Sequence, residues 1–257
     1  MGAVLDELEK AGLADNTLVV FMSDNGMAFP FAKANCYLNS TKTPFIARWP
    51  GHIAPGSHNE SNYITGIDFT PTILEALGME GRLETDGMSY LPLLCGKEQP
   101  EREDIIFTQF NLTSVFNSYP MRCVQTKDFG YIFNDWSDGK TALKNKAMTG
   151  LTFNAMKEAG KENEAIVGRC EFFIHRCPEE FYDFKNDPDG LHNLIDDPAY
   201  QEQIQWFREQ LHDYMVKTKD PVLKEYHTQA YDDRIRACGE AFRKEVAQIR
   251  AEGKFLG

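Results

Sequence analysis

The residues with the strongest claim to chemistry fall in one stretch, TLVVFMSDNGMAFPFAKANCY, running from Thr17 to Tyr37. A run of β-branched and aromatic residues stops at Ser23, and the next two positions, Asp24 and Asn25, both carry side-chain oxygens. Open α/β sheets bind ligands at the carboxyl ends of their strands. The turn at Gly26 frees both side chains from strict strand alternation and lets them converge. A carboxylate and an amide carbonyl are hard donors, suited to Ca2+ or Mg2+ and not to zinc. Taken alone, Asp-Asn-Gly also reads as a plain turn, because Asn-Gly is among the commonest turn dipeptides.

The elements that must hold this stretch can be read from periodicity and punctuation. Residues 3–12 put Val4, Leu5 and Leu8 on one face of a short helix ended by Gly12. Thr17–Ser23 is a continuous apolar run of strand length, the pattern of a strand buried on both faces of a parallel sheet. Residues 43–51, TPFIARWPG, read as another strand. DFTPTILEALG then reads as a helix with Thr70 as its cap, Pro71 in the first position and Gly78 as its stop. Residues 104–110 are a further strand. After about residue 111 the pattern changes: residues 122–134 read as two antiparallel strands and residues 179–184 as a third. Tyr200, Ile204, Phe207, Leu211 and Tyr214 mark an amphipathic helix, and Ile235, Phe242, Val246 and Ile249 a second between 232 and 252. The layout is an α/β part, residues 1–118, followed by a small α+β part, residues 119–257, with an antiparallel sheet. The first part offers about three strands where a parallel sheet usually has about five or six, so the expected buried strand lacks neighbours.

Composition narrows the function. The net charge of −12 argues against a nucleic-acid partner, since phosphate contacts need a basic surface, and an anionic substrate requires a local basic pocket. No apolar run is long enough to span a membrane, and the charged, amphipathic N-terminus lacks a signal-peptide layout. The six cysteines, at 36, 95, 123, 170, 177 and 238, form no Cys-x-x-Cys and read as free buried thiols, with Cys170 and Cys177 alone close enough in sequence to pair across a short loop.

With its surroundings, LADNTLVVFMSDNG resembles the metal-binding segment of the sulfatases, members of the alkaline phosphatase superfamily. The resemblance continues through TPFIARWPG, DFTPTILEALG, DGMSYLPLL and EEFYDFKNDPDGLHNL, in order and along nearly the whole chain. DNGMAFPFAKANCY and SYPMR are most similar to the heparan N-sulfatase (sulfamidase) branch. The resemblance implies part of an alkaline-phosphatase-like sheet sandwiched by helices, with Asp24 and Asn25 as calcium ligands. It puts the branch's sulfate-binding basic residue at Lys33, where Lys keeps the charge and loses the bidentate fork of Arg. Lys33 also reads as a solvated loop lysine, though it follows Asp24 closely on a loop rich in Phe and Pro. The implied substrate is a sulfated sugar or glycosaminoglycan fragment, with Trp49 and the Phe29–Phe31 pair as candidates for a wall of the sugar pocket. Beside Pro50-Gly51, Trp49 reads more readily as core.

Sulfatases use a formylglycine made from the Cys or Ser of a Cys/Ser-x-Pro-x-Arg motif. The one formal match here, Ser118-Tyr-Pro-Met-Arg122, follows the Asp-Asn-Gly strand and leads into a strand, whereas the family's motif precedes that strand and opens a helix. Ser118 is therefore rejected as nucleophile, no catalytic residue is assigned in this chain, and formylglycine is expected in a missing N-terminal half. Arg122 is expected to line the substrate pocket or to pair with a carboxylate. The family's adjacent Asp-Asp, which completes the calcium site, has no evident surrogate: Asp68 lies in a helix lead-in and Asp196-Asp197 in a late loop. Calcium takes about six to eight oxygens, so the site is expected to be incomplete. His175, His192, His212 and His227 have surface or packing roles by default. The leading expectation is the C-terminal portion of a sulfate ester or sulfamate hydrolase, inactive alone. The alternatives are a phosphonate or phosphodiester hydrolase of the same superfamily, and a non-catalytic truncated product.

Overall fold

The computed structural model describes residues 1–114, 116–224, 226, 244 and 248. In chain order its elements are α1 (Gly2–Lys10), β1 (Val19–Met22), α2 (Leu38–Thr41), β2 (Phe45–Arg48), α3 (Phe69–Ala76), α4 (Leu91–Leu94) and β3 (Ile106–Leu112). They continue with β4 (Ser118–Gln125), β5 (Phe129–Asn134), α5 (Leu151–Gly160), α6 (Glu164–His175), β6 (Glu179–Asp183) and α7 (Gln201–Thr218). The chain divides into two compact units, Met1–Asp24 with Thr43–Ile106, and Asn25–Lys42 with everything from Phe107. The division falls after Ile106, the first residue of β3, and β3 joins the sheet of β4, β5 and β6. Residues 25–42 belong to the second unit, where Phe31 and Tyr37 enter its core beside Phe173 and Tyr182. The helix expected between 232 and 252 lies outside the described residues, apart from Lys244 and Gln248, which are helical.

In the first unit, β1 and β2 pair antiparallel, with Val19 opposite Arg48 and Met22 opposite Phe45. The parallel, doubly buried strand expected from the apolar run is not what forms. Burial needs a covering layer, and here Phe21 and Ile46 are 47% and 61% exposed. Helix α3 also starts differently. Its cap is the preceding 3-10 turn, Gly66–Asp68, where Thr65 and Asp68 form a reciprocal capping box. Thr70 is therefore not the cap, and Pro71 lies inside the first turn, where its missing N–H costs nothing. Buried Asp68 also accepts from Arg102 at 2.8 Å and from the Met88 N–H at 2.9 Å, which compensates its charge. Gly78, at a left-handed φ of 64°, ends the helix as expected.

The second unit holds a four-stranded sheet in the order β3-β4-β5-β6. β4 and β5 form an antiparallel hairpin, Met121 opposite Asn134, and β6 pairs antiparallel with β5, Tyr131 opposite Phe181. All three strands are legible in the sequence. Helix α7 buries Ile204, Phe207, Leu211 and Met215 and packs against β4 and β5. Met215 takes the last core position, and Tyr214 stacks on Phe107 with ring centroids 4.0 Å apart. Helices α5 and α6 pack together; Phe153 from α5 and Cys170, Phe173 and Ile174 from α6 enter the same core as Met121, Cys123 and Ile132.

Candidate functional site

Strand β1 ends at Met22, and Asp24, exposed, and Asn25, half-buried, come after it in a bend. Gly26 is the next residue and shapes the loop that leads to Lys33. Its N–H donates to the Ser40 carbonyl at 2.9 Å. A Cβ at this position would lie 2.0 Å from the Ala32 carbonyl oxygen and 2.1 Å from that of Asn39. Only glycine permits so close an approach of backbone to backbone. The loop therefore folds back on itself so that the neighbour of Asn25 touches the neighbour of Lys33.

Lys33 is half-buried and sits between two non-glycine residues in left-handed conformation, Phe31 (φ 61°) and Ala34 (φ 57°). Its carbonyl accepts from Asn35 Nδ2 at 2.6 Å, and among the described residues its ammonium makes no ion pair. Phe31 is buried, meeting Tyr37 edge-on at 5.2 Å and Phe173 at 4.9 Å. It is therefore core and not a pocket wall, while Phe29 remains exposed. Arg169 and Arg176 lay their guanidinium groups on the Phe31 ring, at 3.6 and 4.9 Å from its centroid. Arg176 also donates to Asn35 Oδ1 and to the Tyr37 hydroxyl. That hydroxyl donates in turn to Glu180, which accepts further from Tyr182 at 2.6 Å and from Asn134 at 2.6 Å. Burial pushes the Tyr37 phenol far above its usual range, so it stays a donor.

Arg122 lies elsewhere in its unit. It is buried in β4, donating from Nε and Nη2 to the Asp220 carboxylate at 2.6 and 2.9 Å and from Nη1 to Asn111 Oδ1 at 2.9 Å. Of the two roles expected for it, the observed geometry is the pairing with a carboxylate. Burial opposes the charge on Asp220, yet the hydrogen bonds from Arg122 and the Val222 N–H together hold its carboxyl below the usual value. Ser118 is exposed at the first position of β4, in a strand and not at the head of a helix. Cys36, Cys95, Cys123, Cys170 and Cys177 are all free thiols, so Cys170 and Cys177 do not pair; Cys238 lies outside the described residues. Burial raises the Cys36 thiol to about 12. His192 and His212 are exposed beside Asp187 and Asp213, and buried His175 lies 3.5 Å from Glu171. Trp49, half-buried, stacks on His52 at 3.9 Å.

The donors of Asp24 and Asn25 fit calcium in kind but not in number. Calcium takes about six to eight oxygens, and among the described residues no group of three or more His, Cys, Asp or Glu is placed to hold a metal ion. Sequence reasoning missed Arg176 and Glu180. The available signal was Glu179-Glu180 at the head of an otherwise aromatic strand, where a buried carboxylate demands donors.

Comparison with known proteins gives this geometry its context. Residues 1–79 match the family model named Sulfatase. Over 235 residues the chain is 29% identical to human N-sulphoglucosamine sulphohydrolase, covering 86% of this chain and 46% of that protein. It is 32% identical over 199 residues to an ulvan-active sulfatase of Formosa agariphila, covering 74% and 35%. The solved structure of a 2-O GAG sulfatase superposes with a TM-score of 0.62 at 24% identity, covering 85% of this chain and 40% of that one. The chain thus spans less than half the length of each of these proteins. Matched in its first 79 residues by the family model and aligned to relatives along most of its length, this α/β chain is similar to the sulfatases.

Proposed function

We propose that this chain carries the substrate-side portion of a sulfatase acting on sulfate ester or sulfamate groups of sugars. In this reading Asp24 and Asn25 supply two of the oxygens of a calcium site, and Lys33 pairs with the sulfate. The remaining metal ligands and the formylglycine nucleophile belong to a segment outside this sequence, and the chain alone is inactive. The observation that carries the reading is the contact of Gly26 with the Ala32 carbonyl, which gathers the residues next to Asn25 and Lys33. The lysine contributes a compact, strongly hydrated charge with three donors, suited to one oxyanion but not to bidentate recognition. The sulfated-sugar class is supported by relatives whose names specify N-sulphoglucosamine and ulvan. Arg122, committed to Asp220, serves the fold of the second unit in this reading.

Two titrations and an assay test it. The purified chain binds inorganic sulfate, and Lys33→Met abolishes that binding without moving the thermal midpoint. Calcium binding is weak, and Asp24→Ala removes it. Incubation with 4-nitrophenyl sulfate or N-sulfoglucosamine releases no product. Turnover by the isolated chain would overturn the absence of a nucleophile and return attention to Ser118. Equal sulfate binding by Lys33→Met would remove Lys33 from the site.

A further inference from the structure

We infer that Arg176, acting through Asn35 and Tyr37, is a positioning residue that holds the strained loop around Lys33 in the shape that meets a sulfate group. The inference rests on the assignment of Lys33 to the sulfate and extends it to a residue far away in the sequence.

Phe31 and Ala34 bracket Lys33 at φ values of 61° and 57°, where side chains are disfavoured. Such conformations persist where the surroundings over-determine them, and they cluster at ligand-binding segments. Three loop side chains, Phe31, Asn35 and Tyr37, converge on one guanidinium. Arg176 Nη2 donates to Asn35 Oδ1 and Nη1 to the Tyr37 hydroxyl, with the guanidinium carbon 4.9 Å from the Phe31 ring centroid and 4.8 Å from that of Tyr37. The amide that accepts from Arg176 donates from its other end to the carbonyl of Lys33 itself, at 2.6 Å. Arg176 is therefore one side chain removed from the backbone of Lys33.

Arg176 is itself an unexpected residue at its position. It follows the last turn of α6 at φ 56° and ψ −178°, a region essentially reserved for glycine. Glycine would take that backbone without strain, so the backbone gives no reason for an arginine; the contacts of its guanidinium do. A buried cation also needs compensation, and Glu180, equally buried, supplies it across the Tyr37 hydroxyl. The loop is thus tied into the second unit by a charge that has no other carboxylate partner among the described residues.

Limited trypsin digestion reads this directly, because Lys33–Ala34 is itself a tryptic bond. Cleavage there is followed by mass spectrometry relative to Lys144–Asn145, a loop bond in the same unit. In the wild-type chain the clamped loop is cut slowly. Arg176→Gln and Asn35→Ala are each expected to raise the ratio of Lys33 to Lys144 cleavage about tenfold through local opening, and Tyr37→Phe less. Asn35→Ala removes a single link and leaves the buried charges in place, so it carries the test if Arg176→Gln does not fold. Sodium sulfate, against sodium chloride of equal ionic strength, is expected to slow the Lys33 cut in the wild type and not in Asn35→Ala. An unchanged ratio in the variants, or equal acceleration at both bonds, overturns the clamp. Opening of the loop in the variants with no effect of sulfate on the wild type supports the clamp and overturns the assignment of Lys33 to the sulfate.

Discussion

In the second unit, β5 and β6 put Tyr131, Ile132, Phe133, Phe181 and Tyr182 at essentially zero exposure, covered by α7 on one side and by the aromatic core on the other. In the first, β1 and β2 are just as apolar, and yet Phe21, Met22 and Ile46 stay in contact with solvent. The difference lies in layers and not in strand composition. A sheet buries a face only where another element packs on it, and the second unit supplies helices and a third and fourth strand from its own sequence. Polar groups divide in the same way. Arg122, Arg176, Glu179 and Glu180 are buried in the second unit because each finds partners there, whereas in the first unit Asp24 follows the end of the thinly covered sheet and is exposed.

The comparison is broken most severely by cutting into the covered sheet. Phe181 is fully buried, stacked on Phe129 at 5.6 Å and edge-on to Phe207 at 5.3 Å. Phe181→Ala is expected to cost about 3–5 kcal/mol in urea denaturation, while Ile46→Thr in the uncovered sheet stays within about 0.5 kcal/mol. Equal costs would mean that the two sheets are equally supported.

The buried ion pair of the second unit comes next. Asp220→Asn leaves the Arg122 guanidinium without its countercharge and is expected to destabilise by about 3 kcal/mol near neutral pH. The Asp220 carboxyl is held below its ordinary value in the fold. Its contribution is therefore fully present above the unfolded value of about 3.9 and is lost as pH falls through the lower folded value. The gap between wild type and variant should accordingly close below about pH 4. A gap that stays constant well below that pH would show that the charge on Asp220 is not what stabilises the pair.

The smallest of the three effects sharpens the comparison at the site itself. Gly26→Ala forces a methyl group onto two backbone carbonyls, and overpacking of this kind costs about 1–3 kcal/mol. The loss should appear as faster amide exchange at Phe31–Tyr37, with β4, β5 and β6 unchanged. Uniform loosening of the whole second unit would mean that the loop is not a separable element.

How much of this is legible in the sequence depends on the range of the interactions. The strands of the second unit, the face of α7, the stop at Gly78 and the tripeptide Asp24-Asn25-Gly26 are local patterns, and periodicity and turn chemistry find them. The capping of α3 by Thr65 and Asp68 is missed in favour of Thr70, because a reciprocal box one turn earlier outcompetes a single hydroxyl. That residues 25–42 join the second unit has no such local pattern, because they do so through aromatic contacts that cross most of the chain.

By itself, then, the sequence determined the likeness to the sulfatases, the strand-end oxygens, the lysine that comes after them and the failure of Ser118 to sit in a nucleophile's context. The tertiary structure alone decided that Arg122 serves Asp220, that Phe31 is core, and that Arg176 reaches Asn35 and Tyr37 across 141 and 139 residues of chain. The reason is physical: donors and acceptors that lie so far apart leave no periodic trace, and their pairing exists only once the fold has removed water from around them.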